Sequence, residues 1–187
     1  MQDQDIINIL KNGGIGVLAT DTLYGLVGSA FNTEAVERIF RVRKRRPDKP
    51  LIVLVHSIKD LELFGISESS VEVKEAQKYW PGKVSIILPC PDLKFEYLHR
   101  GKQTIAFRLP DKPRLLEILK ETGPLVAPSV NHEGEPPAHT IAEAKNYFGN
   151  DSDFYEDEGL LLSEPSLIIK IIGTETTVIR KGSQEPV

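Results

Sequence analysis

Seven short apolar runs rich in β-branched residues recur along this chain, and most gaps between them carry apolar residues at helical spacing. That alternation constrains the fold more than any other feature. The runs are IGVLAT (15–20), LIVLV (51–55), KVSIIL (83–88), TIAFRL (104–109), PLVAPS (124–129), SLIIKII (166–172) and TTVIRK (176–181). Short apolar runs bounded by turn residues predict buried strands, and the last two predict a hairpin around Gly173. DIINILKN (5–12) reads as a helix stopped by Gly13 and Gly14. NTEAVERIFRVRKR reads as an amphipathic helix with Asn32 as N-cap, Ala35, Val36, Ile39 and Phe40 on one face, and Pro47 as its end. Residues 58–79 hold one or two helical segments, Pro113 opens a helix over 112–122, and TIAEAKNYF (140–148) gives another. Strands alternating with helices predict an α/β (α+β) fold, a mixed sheet flanked by helices, in one domain over 1–187.

No run approaches the ~20 apolar residues that span a bilayer, so no membrane partner is expected. The acidic start MQDQDIINIL lacks the cationic start and long apolar core of a secretory leader, which predicts a cytoplasmic setting. One cysteine, Cys90, excludes an internal disulfide and a cysteine-built metal site. A net charge of −4 argues against a chain whose main work is wrapping nucleic acid.

Against that acidic background, VRKRRPDKPL (42–51) puts Arg43, Lys44, Arg45, Arg46 and Lys49 into seven consecutive positions. Any one of them suits a solvated helix C-terminus, where the carbonyl dipole favours cations. Five together repel one another unless an anion arrives, and the Arg fork matches phosphate oxygens. The cluster indicates a polyanion and does not separate nucleotide from RNA.

ATDTLYGLVGSA (19–30) leaves the first strand with Thr20, Asp21 and Thr22, the kind of strand end where α/β sheets place ligands. The plain alternative is a capped turn. In APSVNHEGEPP (127–137), Ser129 and Asn131 alternate on extended backbone and so face one side. Neither nucleotide-loop glycine pattern is present, and no nucleophile turn supports a Ser-His-Asp triad. His132 and His139 lack a partner cluster for a metal. YEDEG (155–159) reads as a solvated acidic loop, and Cys90 as inert.

In order and spacing, GGIGVLATDTLYGL, AVERIF, KPLIVLV, PGKVSIIL, TIAFRLP, PLVAPSVN and VIRKG resemble the YrdC-like family of threonylcarbamoyl-AMP synthases over nearly the whole chain. The resemblance implies a twisted mixed sheet with a large, positively charged concave cavity. It implies that L-threonine and bicarbonate form a carbamate, which attacks the α-phosphate of ATP and expels pyrophosphate. The product is the intermediate for tRNA N6-threonylcarbamoyladenosine. By the same resemblance, Thr22, Arg108 and Ser166 contact threonine, while Arg45, Lys49, Thr104, Ala127, Ser129 and Arg180 line the nucleotide site. Arg43, Arg45, Ser129 and Asn131 form the catalytic set, Mg2+ accompanies ATP without nominated ligands, and no protein-held metal is expected. Implied partners are ATP, L-threonine and bicarbonate, double-stranded RNA or tRNA, and the downstream proteins that transfer the threonylcarbamoyl group to tRNA.

The chain departs from the family pattern at several positions. Arg43 stands where the family has lysine in a gapless register; the gapped register would use Lys44 and Arg46 instead. Ala19 replaces a proline, Ser85 a threonine, Pro137 a serine and Leu167 a threonine. The missing hydroxyls and the crowded basic cluster motivate a second reading, a YrdC-like RNA- or nucleotide-binding paralogue without synthase activity. A third is a paralogue that uses another carbamoyl-type substrate.

Overall fold

Gln2 and Asp5 form a reciprocal cap that starts α1 (Asp3–Lys11), whose Ile6, Ile7 and Leu10 are buried. The computed structural model describes residues 1–184. The chain continues through β1 (Ile15–Ala19), β2 (Tyr24–Ser29), α2 (Thr33–Val42), β3 (Ile52–Leu54), α3 (Val71–Ala76), β4 (Val84–Pro89), α4 (Glu96–His99), β5 (Thr104–Arg108) and α5 (Pro113–Thr122). There follow β6 (Leu125–Val126), α6 (Ile141–Phe148), β7 (Phe154–Tyr155), β8 (Leu167–Ile172) and β9 (Glu175–Arg180). The nine strands of the described residues form one sheet in the order β7-β1-β2-β6-β3-β5-β4-β8-β9. The β1/β7, β3/β5 and β4/β8 pairs are parallel and the others antiparallel, so the sheet is mixed as expected.

Alternation along each strand builds two cores. Val17, Leu26, Val53, Ile86, Phe107 and Ile169 face one side and pack with α2, α3 and α6 through Ile39, Val73 and Ala144. Leu18, Val27, Leu54 and Leu125 face the other and pack beneath α1 and α5. Those two helices reach only β1, β2, β3, β6 and β7, leaving the second face of β5, β4 and β8 without a helix. That open half is where the cavities described below lie.

Local signals account for most boundaries. The Asn32 side chain accepts from Ala35 N at 2.9 Å, a cap worth about 1 kcal/mol, and Thr140 with Glu143 forms a capping box on α6. Three expectations need correction. The segment 24–29, which is not among the seven apolar runs, is β2, paired to β1 in full register. Its glycines fit because neighbours crowd it: a Cβ at Gly28 would lie 3.0 Å from Ile15 and 3.1 Å from Ile39. Helix α2 stops before the basic cluster instead of at Pro47, because Lys44 takes a left-handed φ of 48°. The acidic run 155–159 is tied down: Glu156 and Glu158 accept from Arg114 at 2.8 and 2.9 Å, and Lys112 also reaches Glu158. The hairpin around Gly173 is present, and Ile58–Phe64 is a 3-10 turn ahead of α3. Among the described residues, no helix is long and apolar enough to cross a membrane.

Candidate functional site

β1 ends in a tight turn that brings Thr20 and Thr22 side by side, with their hydroxyl oxygens 3.1 Å apart. Thr20 Oγ1 donates to Leu23 O at 2.7 Å and accepts from the Thr22 backbone N–H at 3.2 Å, so the turn is fixed by its own side chain. Arg108, at the end of β5, donates to Thr22 Oγ1 and Thr20 Oγ1, both at 3.3 Å. These bonds lie just beyond the usual N–H···O range and are weak. Its Nη2 lies 3.2 Å from Asp21 Oδ1, an ion pair whose alignment gives no hydrogen bond. Burial disfavours the charged Arg108, and Asp21 offsets that in part. Arg108 Nε is buried without a partner. Opposite, Ser166 Oγ lies 2.9 Å from Ser85 Oγ, and Arg180 donates to Ser166 O at 2.8 Å. Thr20, Thr22, Arg108, Ser166 and Arg180 border a recess of about 50 Å³, lined also by Ala127 and Ser129.

Beside it lies a second cavity of about 230 Å³, lined by Arg43, Arg45, Thr104, Ser129 and Arg180 and walled by Ile52, Ile87, Ala106, Ile168 and Ile179. Arg43 is anchored through Nε to Asn131 O at 3.1 Å and through Nη2 to Asn131 Oδ1 at 2.8 Å, while its Nη1 is buried without a partner. Burial, with the like charge of Arg45, pushes Arg43 down to about 10. Arg45 is lowered by burial too, and Arg180 by burial and then by Arg108 and Arg45. These cations are under-compensated where they stand, and an anion would relieve all three. Ile52, Ser129 and Arg180 line both cavities, so the two open onto one site. Cationic forks beside an apolar wall suit a ligand that is anionic at one end and flat and apolar at the other.

The predicted residues divide accordingly. Thr22, Arg108 and Ser166 meet in the recess, and Ala127 lines that recess instead of the larger cavity. Arg43, Arg45, Thr104, Ser129 and Arg180 line the larger cavity. Two predicted residues line neither. Lys49 is exposed and paired with Glu133, and Asn131 is buried with its carboxamide fully engaged. Asn131 Oδ1 accepts from Arg43 and Ser129, and its Nδ2 donates to His132 O and Glu135 O. Of the two registers for the basic motif, Arg43 and Arg45 face the cavity, whereas Lys44 is exposed and Arg46 pairs outward with Asp48.

Of the departures from the family pattern, Arg43 lines the larger cavity and Ser85 touches Ser166, while the other three fall elsewhere. Pro137 borders a different hollow with His139 and Tyr147, and Leu167 and Ala19 are buried in the core on the opposite face. Sequence reasoning missed Ser85, the apolar wall, and the Tyr24 hydroxyl, which donates to Gly159 O and accepts from Glu158 N. Ser85 stands out in the sequence only as the replacement for a threonine, and no motif signals the others.

Among the described residues, no cluster of three His, Cys, Asp or Glu side chains is present, and no carboxylate lines either cavity. A magnesium ion held by the protein itself does not fit that donor set. His132 packs edge-on to Tyr147, and His139 Nδ1 contacts Leu161 O at 2.7 Å. Burial pushes the Cys90 thiol up to about 11, as expected of an inert cysteine.

Fold and site together define a mixed α/β domain whose open sheet face carries a two-part cationic cavity. The chain belongs to the Sua5/YciO/YrdC family, whose model, described as telomere recombination, matches residues 8–182. It is 37% identical over 131 residues to the threonylcarbamoyl-AMP synthase of Bacillus subtilis, covering 68% of this chain and 38% of the relative. It is 30% identical over 181 residues to a putative threonylcarbamoyl-AMP synthase of Mycobacterium tuberculosis, covering 94% of this chain and 82% of that one. Among solved structures, Pyrococcus abyssi Sua5 complexed with L-threonine superposes with a TM-score of 0.87 at 26% identity, over 96% of this chain and 54% of that one. Escherichia coli YciO, at 22% identity and a TM-score of 0.85, covers 98% of this chain and 92% of its own and shares the fold. The chain thus spans well under half of the Bacillus relative and about half of the Pyrococcus protein.

Proposed function

We propose that this chain is a threonylcarbamoyl-AMP synthase, an ATP-using nucleotidyltransferase. The observation that carries the reading is the sharing of Ile52, Ser129 and Arg180 between a small polar recess and a larger cationic cavity. Threonine would sit in the recess, its carboxylate on Arg108 and its hydroxyl near Thr22 and Ser166. ATP would occupy the larger cavity, phosphates on Arg43, Arg45 and Arg180 and base against the isoleucine wall.

The threonine amine and bicarbonate condense to a carbamate with loss of water. A carbamate oxygen then attacks the α-phosphorus. The new O–P bond forms as the bond to the bridging oxygen breaks, and pyrophosphate leaves. No side chain need form a covalent bond. The charge developing on the α-phosphate and the leaving group is met by guanidinium groups already fixed in place, the dominant contribution in reactions of this kind. Magnesium belongs to the substrate in this reading, arriving on the triphosphate. The setting is cytoplasmic, and the product passes to proteins that load it onto tRNA. The RNA-binding alternative rests on the departures at Pro137 and Leu167 and on the crowded basic cluster. The first two lie outside the cavities, and of the cluster Arg43 and Arg45 line the larger cavity while Arg46 and Lys49 pair with Asp48 and Glu133, so the nucleotide reading accounts for most of it.

The test is incubation of the purified chain with ATP, labelled bicarbonate and threonine. The expected result is a labelled adenylate formed only with threonine present, with one pyrophosphate per adenylate. A folded chain that binds ATP and forms no adenylate removes the proposal.

A further inference from the structure

We infer that Glu133 is a positioning residue for the larger cavity, because its carboxylate fixes the basic loop from which Arg45 projects. The inference rests on the nucleotide reading of that cavity. Glu133 meets the loop at three points. Its Oε2 accepts from the Arg46 backbone N–H at 2.6 Å, its Oε1 accepts from the Lys49 ammonium, and its own N–H donates to Arg43 O at 2.9 Å. The loop in turn sets Arg45: Nε donates to Lys49 O at 3.1 Å and Nη2 to Pro50 O at 2.7 Å. Arg45 has no carboxylate ion pair among the described residues, so its fork is oriented by those two carbonyls.

The two carbonyls stay in place only while residues 46–49 do. That segment carries Arg46 and Lys49 next to Arg43, Lys44 and Arg45, and self-repulsion favours its spreading. Asp48, the loop's own carboxylate, is spent on the Arg46 guanidinium and points to solvent. Glu133 is the outside anchor. Lys49 and the Arg46 N–H keep its carboxyl below the usual range, so it stays ionised at neutral pH. Two residues earlier, Asn131 anchors Arg43 in the same way. One loop therefore sets both guanidinium groups of the motif without touching the ligand.

The experiment is calorimetric titration of ATP, without threonine, into wild type, E133A, E133Q, R45A and the R45A/E133A double variant, with melting temperatures alongside. E133A is expected to weaken ATP about tenfold with its melting temperature unmoved. E133Q, which keeps an oxygen for the Arg46 N–H, recovers most of the loss. In the R45A background, E133A adds less than about a twofold effect, because it acts through Arg45. Unchanged or tighter ATP binding in E133A overturns the inference, as does full additivity with R45A or a loss that tracks a lower melting temperature. If wild type binds no ATP, this inference and the proposed function both fall; if wild type binds and E133A matches it, only this one does.

Discussion

Arg180, the last residue of β9, folds back across the hairpin and donates to Ser166 O at 2.8 Å and to Ser166 Oγ at 3.3 Å. One side chain thereby holds the recess at its serine and supplies a cation to the larger cavity. R180A is expected to weaken both ATP and threonine by about tenfold or more, the scale of a lost charge-assisted hydrogen bond. Its stability should change by less than about 1 kcal/mol, since Arg180 is an exposed residue whose hydrogen bonds to Ser166 are only partly buried. Separate titrations with each ligand, with thermal melts, check this; loss of one ligand alone would contradict it.

Asp21 and Arg108 form an ion pair whose side chains are 2% and 4% exposed. Removing one partner of such a pair leaves a buried charge uncompensated and costs about 3–5 kcal/mol. D21N should therefore lower stability by about that amount in urea unfolding, and high salt should leave the effect largely in place, because buried pairs are poorly screened. A loss below about 1 kcal/mol would mean that water reaches Arg108.

Much of this was legible because strand periodicity and caps are local. The seven apolar runs lie on strands, Asn32 caps α2, and Thr22, Arg108, Ser129 and Arg180 sit at or near strand ends facing one site. What was hidden depends on contacts distant in sequence. β2 carries Gly25 and Gly28, which weaken the strand signal, and only the packing of Thr20, Ile15 and Ile39 explains them. The pairing of Arg108 with Thr20 spans 88 residues. The open half of the sheet was illegible because Ile52, Ile87 and Ile168, which line a cavity, carry the same apolar pattern as a face beneath a helix. For Lys49 and Asn131, composition gave the residue type and the fold gave the direction, toward Glu133 and Arg43 and away from the cavity.

The departures at Pro137 and Leu167 give a sharp comparison. P137S should change turnover by less than about twofold, since the side chain borders another hollow. L167T should also leave ligand affinity alone but lower stability by about 1–3 kcal/mol, because it buries a hydroxyl in the core where Leu167 is 1% exposed. Steady-state kinetics with denaturant unfolding check both. A gain in adenylate formation in either variant would place those positions in the site after all.

Gly182 explains the glycine of the closing VIRKG stretch. A Cβ there would lie 2.3 Å from Leu167 N and Ser166 C and 2.4 Å from Pro165 O. All three are backbone atoms, and Ser183 N donates to Pro165 O at 2.9 Å, so neither segment can step aside cheaply. G182A should push the 165–167 backbone outward, carrying Ser166 away from Ser85 and Arg180. The expected result is a stability loss of about 1–3 kcal/mol, the usual cost of overpacking. Threonine affinity should fall more than ATP affinity, because Ser166 lines the recess and not the larger cavity. Equal loss of both ligands would mean that the strain reaches Arg180 as well, and an unperturbed protein would show that the two segments are not packed as closely as Gly182 requires.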